Sequence, residues 1–299
     1  MRLRPSQPDP RAVVGALLVI VGAACSPSTG VGAPGTAASR GGASGLQAVL
    51  VSSQVLVGRQ RLAIGVLDGN SPVSDARVRV RVYRASPADP LANEADAPFK
   101  GEGLQGSGAY VAYLMFGATG SWTAEVSAQR GAGPAGTTRL PVNVQASGTV
   151  PAAGQPAPRS NNPTRRDVPD VSYIDSGVPP DDMHELSIAD AIAQHRPTLV
   201  VFATPAFCTS RMCGPEVHAV QQIEPDYRDR VVFIHAEIYQ DFKSDPSKMS
   251  LTPTVLEWHL RTEPWVFLID ANGIVRYAFE GPTASDELRT AVDAMLAQH

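Results

Sequence analysis

No run of 18 apolar residues occurs in this 299-residue sequence, which excludes a protein built from several membrane-spanning helices. Basic residues are in deficit: 25 Lys and Arg stand against 29 Asp and Glu, a net charge of −4. That balance carries no nucleic-acid footprint. Aromatics make up only 6% of the chain, and cysteine occurs three times, as Cys25, Cys208 and Cys213. Histidine is absent before His184, so the residues that carry acid–base, redox or metal chemistry lie in the C-terminal half. What is plentiful is glycine and proline, 26 of each, and they mark turns and linkers. With 43% hydrophobic and 18% charged residues, a packed core is accessible and wholesale disorder is excluded. The length suits two domains of roughly 150 residues each.

The start of the chain reads as an address. Arg2, Arg4 and Arg11 form a basic region, and Ala12 to Ala24 is an apolar run of 13 residues, too short to span a bilayer as a mature helix. Small residues at 22–24 followed directly by Cys25 resemble a bacterial lipoprotein signal, although Gly22 stands where such signals usually carry Leu. The resemblance implies cleavage before Cys25, lipidation of that cysteine and anchoring at the outer face of a membrane in the cell envelope. Cleavage would remove Arg2, Arg4, Arg11 and Asp9 and take the net charge to −6. Residues 26–45, rich in Ser, Pro and Gly, read as a disordered tether.

From residue 46 to 145, short apolar alternations are separated by turn clusters. The clearest is Ala76 to Tyr83, with Val78, Val80 and Val82 on one face and Arg77, Arg79 and Arg81 on the other. Further strands are predicted at 61–67, 109–116, 122–128 and 138–144. Such spacing predicts an all-β, immunoglobulin-like sandwich. The arginine row is either a site for anionic headgroups or the solvated face of a half-buried sheet, and Trp122 is a candidate core anchor. Residues 146–170, rich in Pro, Gly and Ala, read as a linker.

The remainder, 171–299, alternates predicted helices with buried strands. A short helix opens at Ser187, a buried strand runs from Thr198 to Ala203, and Cys208 and Cys213 follow it directly. A helix runs to Ile223, a strand covers 231–238, and a short helix ends near Leu260. Pro264 immediately precedes the strand 265–269, the turn at 270–273 leads to the strand 274–279, and 284–296 closes as a helix. This β-α-β-α-β-β-α order, with cysteines at the first strand-to-helix junction, resembles the thioredoxin fold. The phrase Pro264-Trp265-Val266-Phe267-Leu268-Ile269-Asp270-Ala271-Asn272-Gly273 is similar to that of exported thiol oxidoreductases of the family. The resemblance implies a C-terminal α/β thioredoxin-like domain, a cis bond before Pro264, no cofactor, and extracytoplasmic protein thiols or disulfides as partners. It implies Cys208 as nucleophile and Cys213 as resolving thiol, with Glu263 and Pro264 shaping the surface that receives the substrate. This chain departs from the family in three ways. Four residues separate the cysteines rather than two, Val201 stands at the family's buried acid, and Glu263 precedes the proline.

Geometry constrains the pair independently. On a regular helix, residues i and i+5 lie roughly 8–9 Å apart, whereas a disulfide needs Cα atoms closer than about 7 Å. The pair therefore bridges only if the first helical turn unwinds, or if the helix begins later, at Pro215. A helix dipole and Arg211 are candidates for lowering the Cys208 pKa. Other readings are a static bridge in a redox-inert scaffold, a peroxiredoxin-like site, with Thr204 one residue from the place that chemistry needs, and a copper-handling site. His218, His235 and His259 are the histidine candidates for the last, without a recognised metal spacing.

Overall fold

The computed structural model describes residues 45–298. The leader, Cys25 and the tether up to residue 44 lie outside the described residues, as does His299.

The first part is two five-stranded sheets. One has the order β1 (Leu46–Leu50), β3 (Gly58–Asp68), β8 (Ala109–Phe116), β7 (Phe99–Lys100), with β4 (Ser71–Pro72) paired to β3. The other runs β2 (Val55–Leu56), β10 (Gly136–Gln145), β9 (Gly120–Arg130), β5 (Ala76–Arg84), β6 (Leu91–Asp96). Period-two alternation is what lets each sheet bury one face. Leu62, Ile64, Leu114 and Phe116 from one sheet meet Val78, Val80, Val82 and Val126 from the other in a single core. Trp122 anchors it, edge-on to Phe116 at 5.2 Å. The arginine row has protein partners: the β5–β6 register sets Arg79 and Arg81 against Glu94 and Asp96, at 2.7–3.2 Å. The charges of Arg79 and Arg81 are matched on the sheet, which favours a solvated face over an open anion site.

The second part is a four-stranded sheet in the order β12 (Val232–Glu237), β11 (Thr198–Ala203), β15 (Trp265–Ile269), β16 (Val275–Glu280). β11 and β12 are parallel, β15 runs antiparallel to β11, and β16 runs antiparallel to β15. Every residue of β11, β12 and β15 is buried, as expected for strands covered on both faces. Helices α2 (Cys213–Tyr227) and α4 (Ser285–Leu296) cover one face with Val217, Val220, Leu288 and Val292. Helices α1 (Ile188–Ala193) and α3 (Pro253–Glu257) cover the other around Phe202, Trp258 and Phe267. A small hairpin, β13 (Tyr239–Gln240) and β14 (Ser250–Leu251), extends beyond β12. Overall the chain is mostly β, with few helices.

The described residues form one compact unit. Leu104, from the loop between β7 and β8, is fully buried in the core under α2 and α4. Gly103, at φ +79°, makes that entry possible: a Cβ there would lie 2.0 Å from Ser285 Oγ and 3.2 Å from Ala219 Cα. Arg61 of β3 makes a bidentate pair with Glu287 of α4 at 3.0 and 2.9 Å and donates to the carbonyls of Glu280 and Pro282. The Pro/Gly-rich stretch from 146 is packed as well. Val150 is tied to Gln54, Pro156 bridges to Ile274, and the Asn162 side chain accepts from the N–H of Ile188 at the start of α1.

Candidate functional site

Strand β11 delivers the chain at Ala203 to a tight turn, and α2 begins at Cys213, not at Pro215. Cys208 thus lies in the turn, its N–H bonded to the Thr204 carbonyl at 3.0 Å, while Cys213 is the first helical residue. The i and i+5 separation of a regular helix does not apply to them. Met212, at the N-cap position, provides no side-chain cap. Its place is taken by sulfur: the N–H of Cys213 donates to Cys208 Sγ at 3.2 Å. A helix N-terminus presents unsatisfied N–H groups and a positive dipole end, so an anionic sulfur satisfies both. Arg211 adopts φ 61° and donates its N–H to the Cys208 carbonyl at 3.2 Å, closing the turn around the sulfur.

Both cysteines are free thiols, and their environments push them apart. Donation from the Cys213 thiol lowers the Cys208 pKa most. Partial burial works against this, and Ser210 and the N–H groups of Cys213 and Met212 add to it, so that Cys208 titrates at about 6. Cys213 moves the other way, raised first by its hydrogen bond to Cys208 and then by burial. One sulfur is therefore an exposed-edge thiolate at neutral pH, and the other is a buried thiol that holds its proton.

The loop before β15 closes over this turn. The Glu263–Pro264 bond is cis. Thr209 donates to Glu263 Oε1 at 3.3 Å, and the Ser210 hydroxyl lies 3.4 Å from the Glu263 carbonyl and 3.1 Å from Cys208 Sγ. Ser210 has one hydroxyl proton. Both acceptors lie within reach of that proton, and a Cys208 thiolate is the stronger of the two. On the other side, Phe207 is 37% exposed and packs with Tyr239 and Phe242, at 6.2 and 5.5 Å between ring centroids. Met249 and Leu251 expose further apolar surface at the β13–β14 hairpin.

Cys213, Arg211 and Glu263 lie at this turn, with Pro264 next to Glu263; Arg211, expected to lower the Cys208 pKa, bonds there through its backbone N–H and is not among the main groups that shift the thiol. Thr204 instead is buried with its hydroxyl 3.5 Å from Ser176. His218 pairs with Gln222 on α2, and His259 is an exposed residue at φ 55°. Among the described residues, no group of three or more metal-ligating side chains includes the cysteines.

Three features escaped sequence reasoning. Ser210 is one, because a hydroxyl two residues after a cysteine has no meaning until the turn closes. Glu216 is a second: it is fully buried on α2, accepts from the Thr283 N–H at 2.8 Å, and is pushed up to about 8, chiefly by burial. The third is a cluster of Asp175, Asp181, His184 and His235 beneath the turn. Its signal was His235, a histidine inside a strand that is buried throughout.

Among solved structures, this chain is similar to a crystal structure described as the thiol:disulfide interchange protein DsbE from Chlorobium tepidum, with 16% identity and a TM-score of 0.36. The match covers 49% of this chain and 99% of that one. No family model and no curated protein matches the chain.

Proposed function

We propose that this protein is an extracytoplasmic thiol–disulfide oxidoreductase working through Cys208 and Cys213, tethered to the outer face of a membrane by lipid on Cys25. The observation that carries the reading is the N–H of Cys213 donating to Cys208 Sγ at 3.2 Å, with Cys208 held at about 6. A static bridge needs no such asymmetry. A nucleophile with a resolving partner does.

In the reductive direction, Cys208 thiolate attacks one sulfur of a substrate disulfide. A Cys208–substrate bond forms, and the substrate's other sulfur leaves as a thiolate that takes a proton. Cys213 then loses its proton and attacks Cys208 Sγ, forming the Cys208–Cys213 disulfide and releasing the second substrate thiol. Two electrons pass from the cysteine pair to the substrate, and the oxidising direction is the reverse. Thr209 and Ser210 tie the nucleophile's turn to Glu263 and Pro264, where an extended substrate segment would lie. The exposed Phe207, Met249 and Leu251 beside it favour a polypeptide over a small polar disulfide.

Trapping tests this. C213S should accumulate a mixed disulfide with a disulfide-bearing polypeptide through Cys208, whereas C208S should accumulate none. Equal trapping by both variants, or by neither, contradicts the assignment of roles.

A further inference from the structure

Asp175, Asp181, His184 and His235 bring four potential ligand atoms within 4.8 Å of one another, away from the cysteines. Their side chains are 1%, 3%, 2% and 0% exposed. Three come from the loop between residues 175 and 184, and His235 comes from the middle of β12. His184 Nε2 lies 3.3 Å from Asp175 Oδ2 and 3.1 Å from Asp181 Oδ1. His235 Nδ1 lies 3.7 Å from Asp175 Oδ2 and 2.8 Å from Asp181 Oδ2. A tetrahedral ion with ligands at about 2.0–2.1 Å sets its donor atoms about 3.3–3.4 Å apart. The spacings, taken to one Asp181 oxygen from His184 and to the other from His235, scatter from 2.8 to 3.7 Å around that edge length.

The surroundings also aim these atoms inward. The N–H groups of Gly177 and Asp181 donate to Asp175 at 2.7 Å each, and the Met183 N–H donates to Asp181 at 2.9 Å. His235 Nε2 faces the Ala203 carbonyl at 3.3 Å. A carbonyl only accepts, so with the Nε2 proton given to it Nδ1 points its lone pair at the Asp181 carboxylate. In that tautomer the two lone pairs at 2.8 Å call for a positive charge between them, a second proton on the ring or a metal ion; with the proton on Nδ1 instead, the contact is an ordinary hydrogen bond. A backbone carbonyl behind a ligating imidazole is the usual outer-shell support of a metal site. Two buried carboxylates bring a charge of −2, which one divalent cation with two neutral imidazoles cancels. The His184 Nδ1 atom has no partner among the described residues. It carries a proton whether the ring is doubly protonated or metal-bound, so it does not separate the two states. A cavity of about 60 Å³, lined in part by Tyr173, Ile174 and His235, abuts the cluster and offers an approach.

We infer that Asp175, Asp181, His184 and His235 form a closed, four-coordinate site for a zinc-type divalent ion, which pins the 175–184 loop to β12. Ser176, next to Asp175, accepts from the Ala206 N–H at 3.2 Å, so the loop also supports the turn carrying Cys208. The inference stands apart from the redox reading, because no cysteine is a ligand.

The test is a Co²⁺ titration of C208S/C213S protein, followed by displacement with Zn²⁺. One equivalent should bind with the visible bands of four-coordinate Co²⁺ and no thiolate charge-transfer band, and Zn²⁺ should bleach it. D181N and H184Q in that background should weaken binding by at least about 100-fold, more than loss of an outer-shell group costs. Should those variants fail to melt cooperatively, the C208S/C213S protein alone decides: its melting temperature should rise with Zn²⁺ and not with Mg²⁺. No bound equivalent in C208S/C213S, or undiminished binding in folded D181N and H184Q, overturns the site. Binding that disappears with the cysteines overturns it too and assigns the metal to Cys208 and Cys213.

Discussion

The asymmetry between the two thiols predicts how Cys208 reacts as pH changes, and Ser210 is the residue to perturb. A thiol with a pKa of about 6 is roughly 90% thiolate at pH 7, whereas an ordinary one near 8.5 is roughly 3%. That alone raises reactivity about 30-fold. The less basic thiolate is also a weaker nucleophile, and with a Brønsted coefficient of 0.4–0.5 this gives back about 13-fold. The net gain at pH 7 is only about twofold, so the rate at one pH is uninformative and the midpoint is diagnostic. Iodoacetamide alkylation of Cys208 in the reduced protein with Cys213 in place, followed by mass spectrometry between pH 4 and 10, should show a midpoint near 6. A hydrogen bond to an ionised group contributes about 1.5–3 kcal/mol. Ser210 is exposed, so the lower figure applies. At 1.36 kcal/mol per pH unit, S210A should move the midpoint up by about 1. A wild-type midpoint at 8 or above, or an S210A midpoint unchanged from wild type, would refute the reasoning.

Three further outcomes follow from the packing. Glu216 is buried with its pKa raised to about 8 from the ordinary 4.5. A carboxyl raised on folding holds its stability below pH 4.5 and loses it as pH rises through 8, so E216Q should stabilise the protein by roughly 3 kcal/mol at pH 7 and by nothing near pH 4; a thermal melt series across pH checks this. The Arg61–Glu287 pair is nearly fully buried, at 8% and 5% exposure. R61A leaves Glu287 uncompensated and should cost about 3–5 kcal/mol in urea unfolding, while R61M/E287M should cost clearly less. Gly103 and Gly106 share positive φ, but only Gly103 faces Ser285 at close range. G106A should therefore cost about 1–2 kcal/mol, and G103A distinctly more, read as a larger drop in unfolding midpoint.

Much of this architecture is written in local periodicity. The strands at 109–116, 198–203 and 265–269 occur at their expected bounds, because alternation and continuous apolar runs report burial directly. The helix α2 runs on to Tyr227, through Pro225, because Val220, Ile223 and Tyr227 keep one apolar face on the sheet. The cysteine pair was legible from its place after a buried strand, but where α2 starts was not, since it depends on a sulfur capping the first turn. Residues 146–170 read as a linker because their contacts come from isolated side chains with distant partners. Ser160 accepts from the Trp258 indole, 98 residues away, and no periodicity announces such a bond. The same holds for the Asp175 cluster, whose members span from 175 to 235 and meet only when the loop folds onto β12. The arginine row of β5 was legible as a pattern, and the β6 acids that pair with Arg79 and Arg81 became visible only with the strand register.

The central claim is that Cys208 and Cys213 form a working redox couple rather than a fixed bridge. A glutathione titration of the protein, with thiols alkylated and counted by mass, tests this most directly. The account predicts a reversible two-electron couple between about −120 and −270 mV, the range of working oxidoreductases. A bridge that stays oxidised below about −300 mV, or two thiols that never pair, would contradict it.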